Sequence, residues 1–278
     1  MQGIVWLTSY PKSGNTWMRA FLANLLSDKS APASFEDMQA ICPGEAQKYW
    51  YQVFFGKDFP VDDDREIARV RGQAQRRIAG MFDVPVFLKA HSYLGESLGH
   101  NIFNMDITVG AIYIVRNPLD IAISAAPHFD ATIDEAIDML ANEDMRSVAK
   151  DNLVYEKTAD WSTHVKSWTQ NAHPGLLVLR YEDMQERPEK TFAKVVRFIN
   201  AKSTKKKIRQ AITNSSFKTL QKLEDEKGFS EKPANTEKFF RKGKSGDWKD
   251  TLSEEQIKKI VDAHREQMQR FNYIPKGF

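Results

Sequence analysis

At 278 residues, with 41% apolar and 28% charged residues, the chain has an ordinary globular composition. It is long enough to bury a substantial core as one large α/β domain over residues 1–278. No run approaches the roughly 20 apolar residues of a membrane span, and the first residues show neither a basic n-region nor a long apolar h-region, so a cytoplasmic protein is expected. The single cysteine, Cys42, excludes an intramolecular disulfide and a multi-cysteine metal site. A net charge of +3 is too small to point to nucleic acid, yet it suits a multiply charged anionic ligand.

The first predicted element is a buried strand over Gly3 to Leu7. Tyr10-Pro11 breaks it, Ser13-Gly14 makes a tight turn, and from Thr16 the apolar residues Trp17, Met18, Phe21, Leu22, Leu25 and Leu26 recur at helical spacing. A short loop entering a helix leaves several backbone N–H groups aimed at one spot near the positive end of the helix dipole, which favours an anion. Lys12 adds a full charge there, and Ser13, Asn15 and Thr16 add side-chain donors. The spacing is not that of a Walker loop, because Asn15 stands where the Walker lysine would be and the loop's one lysine precedes Gly14 by two residues. A plain strand-to-helix turn is the alternative.

Ser30 to Pro60 reads as irregular. It is broken by Pro32, Pro43, Gly44 and Gly56 and carries Tyr49, Trp50, Tyr51, Phe54 and Phe55, as local core or as one wall of a pocket. Asp62-Asp63-Asp64 opens a helix with the stripe Ile67, Val70, Ala74, Ile78 and Met81, leaving Arg65, Arg69, Arg71, Arg76 and Arg77 as a solvated face. A second buried strand is expected within Pro85 to Ser92. In a parallel sheet it would deliver Lys89 and His91 to the ligand edge. A neutral imidazole accepts a proton near neutral pH, although a lone histidine is as readily structural.

The third strand, Ala111 to Val115, runs into Arg116-Asn-Pro-Leu-Asp-Ile-Ala-Ile-Ser124, where Pro118 opens a helix and Ser124 follows within two turns. Arg116 can grip phosphate with its planar fork or pair with Asp120. Ala125 to Asp160 is polar and acidic, expected as a surface insertion with a helix around Ile133 to Met145. His128 is a second candidate contact if the preceding helix persists through Pro127. Trp161, Val165 and Trp168 form a helical stripe, Leu176 to Leu179 a fourth strand, and Arg180-Tyr-Glu-Asp-Met184 follows it. Ser215-Ser-Phe-Lys-Thr219 comes after a basic helix. From Glu224 to Trp248 the apolar content falls and glycines accumulate, as in a flap, ending in Phe240-Arg-Lys-Gly-Lys-Ser-Gly-Asp-Trp248. Ser253 and Gln256 make a capping box for a last helix.

In this order the motifs Thr8-Ser-Tyr-Pro-Lys-Ser-Gly-Asn-Thr-Trp17, Leu88-Lys-Ala-His91, Arg116 to Ser124, Arg180-Tyr-Glu-Asp183, Ser215-Ser-Phe217 and Arg241-Lys-Gly243 with Gly246-Asp-Trp248 resemble those of the cytosolic-type sulfotransferases. These enzymes use 3′-phosphoadenosine 5′-phosphosulfate (PAPS) and release adenosine 3′,5′-bisphosphate (PAP). The resemblance implies a P-loop-like α/β fold, a mostly parallel sheet of four to five strands flanked by helices on both faces. It implies that Lys12, Ser13, Gly14, Asn15 and Thr16 hold the 5′-phosphosulfate, that Trp17 stacks on the adenine beside Tyr181, and that Arg116 and Ser124 clamp the 3′-phosphate. Ser215, where the family has threonine, and Phe217 would contact adenine and phosphate, and Arg241, Lys242 and Gly243 would close over the nucleotide. His91 would be the general base, with Lys12, Lys89 and Ser124 as further catalytic residues.

No metal, nucleic acid or membrane is implied. The partner would be a small-molecule acceptor with a hydroxyl or amine. Segments 30–60 and 125–160 would lie on the acceptor side, with 224–248 as a cofactor-closing flap. The family's dimerisation segment is replaced by Lys-Asp-Thr-Leu-Ser-Glu-Glu-Gln, which leaves the oligomeric state open. A P-loop kinase or NTPase, or a nucleotide-binding module without transfer chemistry, are the alternatives. Against the first, the third and fourth strands end in Arg116 and Arg180, neither a metal ligand.

Overall fold

The computed structural model describes residues 2–232, 236–241 and 243–278. Among them, strands β1 (Ile4–Ser9), β2 (Val86–Ala90), β5 (Thr108–Val115) and β6 (Leu176–Arg180) form a parallel four-stranded sheet in the order β2-β1-β5-β6, flanked by helices. The two-residue strands β3 (Glu96–Ser97) and β4 (His100–Asn101) make a small antiparallel hairpin. All four expected strands are present. Near-continuous apolar runs suit strands buried on both faces, and β5 is buried from Gly110 to Val115. The β1 and β2 strands run parallel with Ile4 opposite Val86 and Thr8 opposite Ala90. The Trp6 indole donates to Thr108 Oγ1 at 2.9 Å, tying β1 to the start of β5.

Chain contacts divide into two compact units. The first comprises Met1–Tyr10, Cys42–Tyr113 and Asn142–Val178, and the second Pro11–Ile41, Ile114–Ala141 and Leu179–Phe278. Three of the crossings fall at or next to the C-terminal ends of β1, β5 and β6.

In the first unit α3 (Lys48–Phe55), α4 (Asp64–Gly80) and α7 (Trp161–Thr169) accompany the strands. Asp63 caps α4 by accepting from the N–H groups of Arg65 and Glu66, and Ile67, Val70, Ala74 and Ile78 form its buried stripe. Arg65, Arg69, Arg76 and Arg77 are exposed as expected. Arg71 is not: it is 1% exposed, donates to the Tyr155 carbonyl at 2.5 Å and lies 3.7 Å from Glu45. Its Nε and Nη1 have no hydrogen-bond partner among the described residues; the acceptor and the carboxylate that offset the buried charge come from distant segments. The aromatic stretch expected as irregular is instead the helix α3. It buries Trp50 and Tyr51 and leaves Tyr49 and Val53 exposed. Two turns of aromatic residues are too short for a helical period to show.

In the second unit α1 (Asn15–Leu26) is accompanied by α2 (Phe35–Ile41), α5 (Pro118–Ala125), α6 (Ile133–Ala141), α8 (Tyr181–Glu186), α9 (Pro188–Phe198), α10 (Lys205–Asn214), α11 (Phe217–Lys227), α12 (Trp248–Thr251) and α13 (Glu254–Arg270). The capping box of α13 forms as expected, Ser253 accepting from the Gln256 N–H and the Gln256 side chain accepting in return. Phe229 and Phe240, within the expected flap, join Phe35, Met38 and Leu220 in a buried cluster. Burying such a side chain contributes about 1.5–3 kcal/mol, so this segment carries core as well as glycine. No helix among the described residues is long and apolar enough to cross a membrane.

Candidate active site

The loop after β1 is set by two residues with positive φ. Lys12 has φ 66° and Gly14 φ 98°, both in the left-handed region that favours glycine. Gly14 is required for space as well, since a Cβ there would lie 2.6 Å from the Tyr181 ring. Gly14 is also the N-cap of α1, and among the described residues no side chain caps this helix and no acidic residue stands in its first turn. The N–H groups of Asn15, Thr16 and Trp17 therefore keep their positive field. The buried Ser13 hydroxyl has no hydrogen-bond partner among the described residues, and neither does the Trp17 indole N–H.

Three cations gather at this loop. Arg116, 8% exposed at the end of β5, donates from Nη1 to the Lys12 carbonyl at 2.7 Å and from Nη2 to the Lys244 carbonyl at 3.2 Å, while its buried Nε has no partner among the described residues. Its guanidinium carbon lies 4.3 Å from the centre of the Tyr181 ring. Arg241 donates to the Ile123 carbonyl at 3.3 Å, one residue from the half-buried Ser124 on α5. Burial, then the charges of Arg116 and Arg241, push the Lys12 amine down to about 7, with Nζ 4.4 Å from the centre of the Phe239 ring.

Arg116 does not pair with Asp120. Asp120 accepts instead from the backbone N–H groups of Gly246 at 2.8 Å and Trp248 at 3.3 Å, and so holds the Gly-Asp-Trp turn. Gly243, with φ 59°, presses on Phe217: a Cβ would come within 2.2 Å of that ring. The Gln185 amide donates to the Gly243 carbonyl. Tyr181, at the start of α8, meets Trp17 edge to face at 5.9 Å. Ser215 is fully buried and its hydroxyl donates to Ala211 within α10, whereas Ser216 caps α11. Lys242 lies outside the described residues. The helix α5 ends at Ala125, so His128 falls beyond it and meets the Phe129 and Phe239 rings edge to face instead.

In the first unit, Lys89 and His91 stand at the end of β2, both half-buried. Lys89 is bound through its backbone, donating to the Pro43 carbonyl and accepting from the Glu45 N–H, each at 2.9 Å. His91 Nδ1 lies 2.8 Å from the Ser9 carbonyl. A carbonyl only accepts, so Nδ1 carries the proton and, in the neutral ring, Nε2 keeps the lone pair. His164 Nε2 lies 3.0 Å from the His91 carbonyl and its Nδ1 2.8 Å from the Tyr113 hydroxyl. By the same reasoning Nε2–H donates to His91 and the Tyr113 O–H donates to Nδ1. Burial holds His164 down at about 3, so this relay is neutral.

The sulfotransferase domain family model matches residues 3–272. The chain belongs to the sulfotransferase domain family. It is accordingly an enzyme of the sulfotransferase class. Sulfotransferase 1B1 of Mus musculus is 25% identical over 279 residues, covering 96% of this chain and 83% of its own length. Two solved structures share the fold. A retinol dehydratase in complex with androsterone and the inactive cofactor PAP has a TM-score of 0.65 at 21% identity, covering 95% of this chain and 80% of its own. A mouse sulfotransferase complexed with PAP has a TM-score of 0.62 at 17% identity, covering 98% and 86%.

Within this sulfotransferase, sequence reasoning missed Glu156, which accepts the His91 backbone N–H at 2.8 Å. It also missed His164, Asp120 as the anchor of the Gly-Asp-Trp turn, and Glu182, which accepts from the Asn117 N–H at 3.0 Å and the Tyr273 hydroxyl at 2.7 Å. His164 sits inside the apolar stripe of α7, where a polar residue at a core position was the available signal. Residues 154–156 are buried although their segment reads as surface.

Proposed function

We propose that this sulfotransferase moves a sulfuryl group from PAPS to a hydroxyl or amine of a small-molecule acceptor and releases PAP. The observation that carries the reading is the gathering of Lys12, Arg116 and Arg241 about an uncapped helix N-terminus with an unpartnered Ser13 hydroxyl. Such an arrangement is poised for a multiply charged phosphate ligand, because buried donors and mutually repelling cations are both relieved by anionic oxygens.

In this reading the loop amides from Ser13 to Thr16 and the Lys12 ammonium stabilise charge gathering on the 5′-phosphate as the bond from its bridging oxygen to sulfur breaks. Preorganised donors of this kind are typically worth about 100- to 1,000-fold each. Trp17 and Tyr181 hold the adenine, Arg116 and Ser124 the 3′-phosphate, Ser215 and Phe217 serve adenine and phosphate, and Arg241, Lys242 and Gly243 close over the 3′-phosphate. His91 takes the acceptor proton on Nε2, the atom left basic by the Nδ1–H bond to Ser9, while the acceptor oxygen or nitrogen forms its bond to sulfur. Lys89 assists on the acceptor side.

The test is a binding and transfer experiment. PAP should bind more tightly than AMP by calorimetry, labelled sulfate should pass from PAPS to members of an acceptor panel, and His91→Ala should lower turnover about 100-fold or more with PAP binding retained. Equal affinity for PAP and AMP would overturn the donor assignment. Magnesium-dependent ATP hydrolysis without PAPS would favour a kinase-like enzyme.

A further inference from the structure

The segment between α6 and α7 reaches the proposed base through one side chain. Glu156 is buried, and its Oε1 accepts the His91 N–H at 2.8 Å. It is itself fixed by a strand-like pairing: its N–H donates to Ser147 Oγ and its carbonyl accepts the Ser147 N–H, both at 2.9 Å. The adjacent Tyr155 carbonyl takes the Arg71 guanidinium. Three of the bonds that hold His91 come from three segments: N–H to Glu156, carbonyl from His164, and Nδ1–H to Ser9.

The titratable groups facing Glu156 are Lys89 and His91 from the end of β2 and Arg71 from α4. Burial pushes the Glu156 carboxyl up, but Lys89, His91 with its backbone N–H, and Arg71 outweigh it and hold the carboxyl below its usual range. The carboxylate is therefore ionised, against the main chain of the residue that carries the imidazole. The facing histidine on α7, His164, is neutral and adds no charge. An ionised carboxylate beside an imidazole favours the imidazolium that proton uptake creates.

We propose that Glu156 is a positioning residue of this enzyme, whose carboxylate holds the His91 main chain and balances the positive charge of Lys89 and of the imidazolium formed on proton transfer. The proposal rests on the reading of His91 as the general base.

The experiment compares Glu156→Ala, Glu156→Gln, His91→Ala and the Glu156→Ala/His91→Ala pair, in the full chain with PAPS and a responding acceptor. Glu156→Ala should lower kcat about 10- to 100-fold while KM for PAPS and the PAP Kd change less than about twofold. The glutamine oxygen still accepts the His91 N–H, so Glu156→Gln should recover to within about fivefold of wild type. It should also move the acid limb of the kcat profile down by about half to one pH unit, because the charge is gone. In the His91→Ala background, Glu156→Ala should add nothing.

A Glu156→Ala enzyme within about twofold of wild type, losses that multiply in the double variant, or a glutamine variant with an unmoved acid limb would each overturn the proposal while leaving His91 as the base. Retained turnover in His91→Ala would overturn the underlying assignment instead. Should Glu156→Ala lose its cooperative melt, the pH profile of the glutamine variant decides.

Discussion

Arg116 Nη1 donates to the carbonyl of Lys12 at 2.7 Å, so one arginine fixes the main chain of the loop while its charge depresses the amine of the same residue. This joins the end of a strand to the turn that opens α1 and makes the arginine a structural part of the loop.

Two roles of Arg116 can be separated. Arg116→Ala should weaken PAP binding about 10-fold or more, since hydrogen bonds to charged groups are worth about 1.5–3 kcal/mol each. If the guanidinium grips the 3′-phosphate, AMP binding should fall less than PAP binding. If it serves only the loop, both nucleotides should weaken equally in paired calorimetry. Lysine should not restore affinity, because one ammonium lacks the fork that reaches both Lys12 and Lys244.

Nucleotide binding should take up a proton above neutral pH. In the free protein the Lys12 amine titrates at about 7, and a bound phosphate raises that value by favouring the ammonium. Below about 7 the lysine is already charged and affinity carries no contribution from its titration. Above it, each pH unit should weaken PAP binding by up to about tenfold until the bound-state value is reached. Calorimetry in buffers of differing ionisation enthalpy at pH 8 should register the proton, and Lys12→Met should abolish both the slope and the uptake.

Gly14→Ala should destabilise the protein and impair PAP binding together. The substitution strains a φ of 98° and drives a methyl to 2.6 Å from the Tyr181 ring. The backbone strain alone costs on the order of 1–3 kcal/mol. Adding Tyr181→Ala should recover part of the melting temperature by removing the clash, leaving the strain. No recovery would show that the ring contact carries none of the effect.

Asp120→Ala should loosen the Gly-Asp-Trp turn. Two backbone N–H groups, of Gly246 and Trp248, lose their acceptor, at about 1–3 kcal/mol for each one left buried and unmet. Faster hydrogen exchange and proteolysis between Gly243 and Trp248, with α13 unaffected, is the expected result. Asp120→Asn keeps one acceptor oxygen and should show a smaller effect.

The strands, the strand-loop-helix order around Lys12 and Gly14, the helix opened by Pro118 and the Ser253 box were legible because each is a local pattern. An apolar run, a glycine turn or a cap acts within a few residues, and its signal survives in one dimension. Arg71 and Glu156 were misread for the opposite reason. Each is a charged residue in a polar stretch, and such a residue is buried only if distant segments bring an opposite charge and acceptors to meet it. The aromatic helix α3 was too short for its period to stand out from its flanking proline and glycine.

The amino-acid order by itself determined the strands of the parallel sheet and the strand-turn-helix at Lys12 and Gly14, through periodicity and turn chemistry, and the family membership, through the likeness of its ordered motifs. Only the tertiary structure decided which partner each buried polar group takes: Arg116 the Lys12 carbonyl rather than Asp120, Asp120 the turn before Trp248, and His91 the side chain of Glu156. A hydrogen bond depends on where two segments meet in space, and chains this far apart in sequence leave no local trace of the meeting.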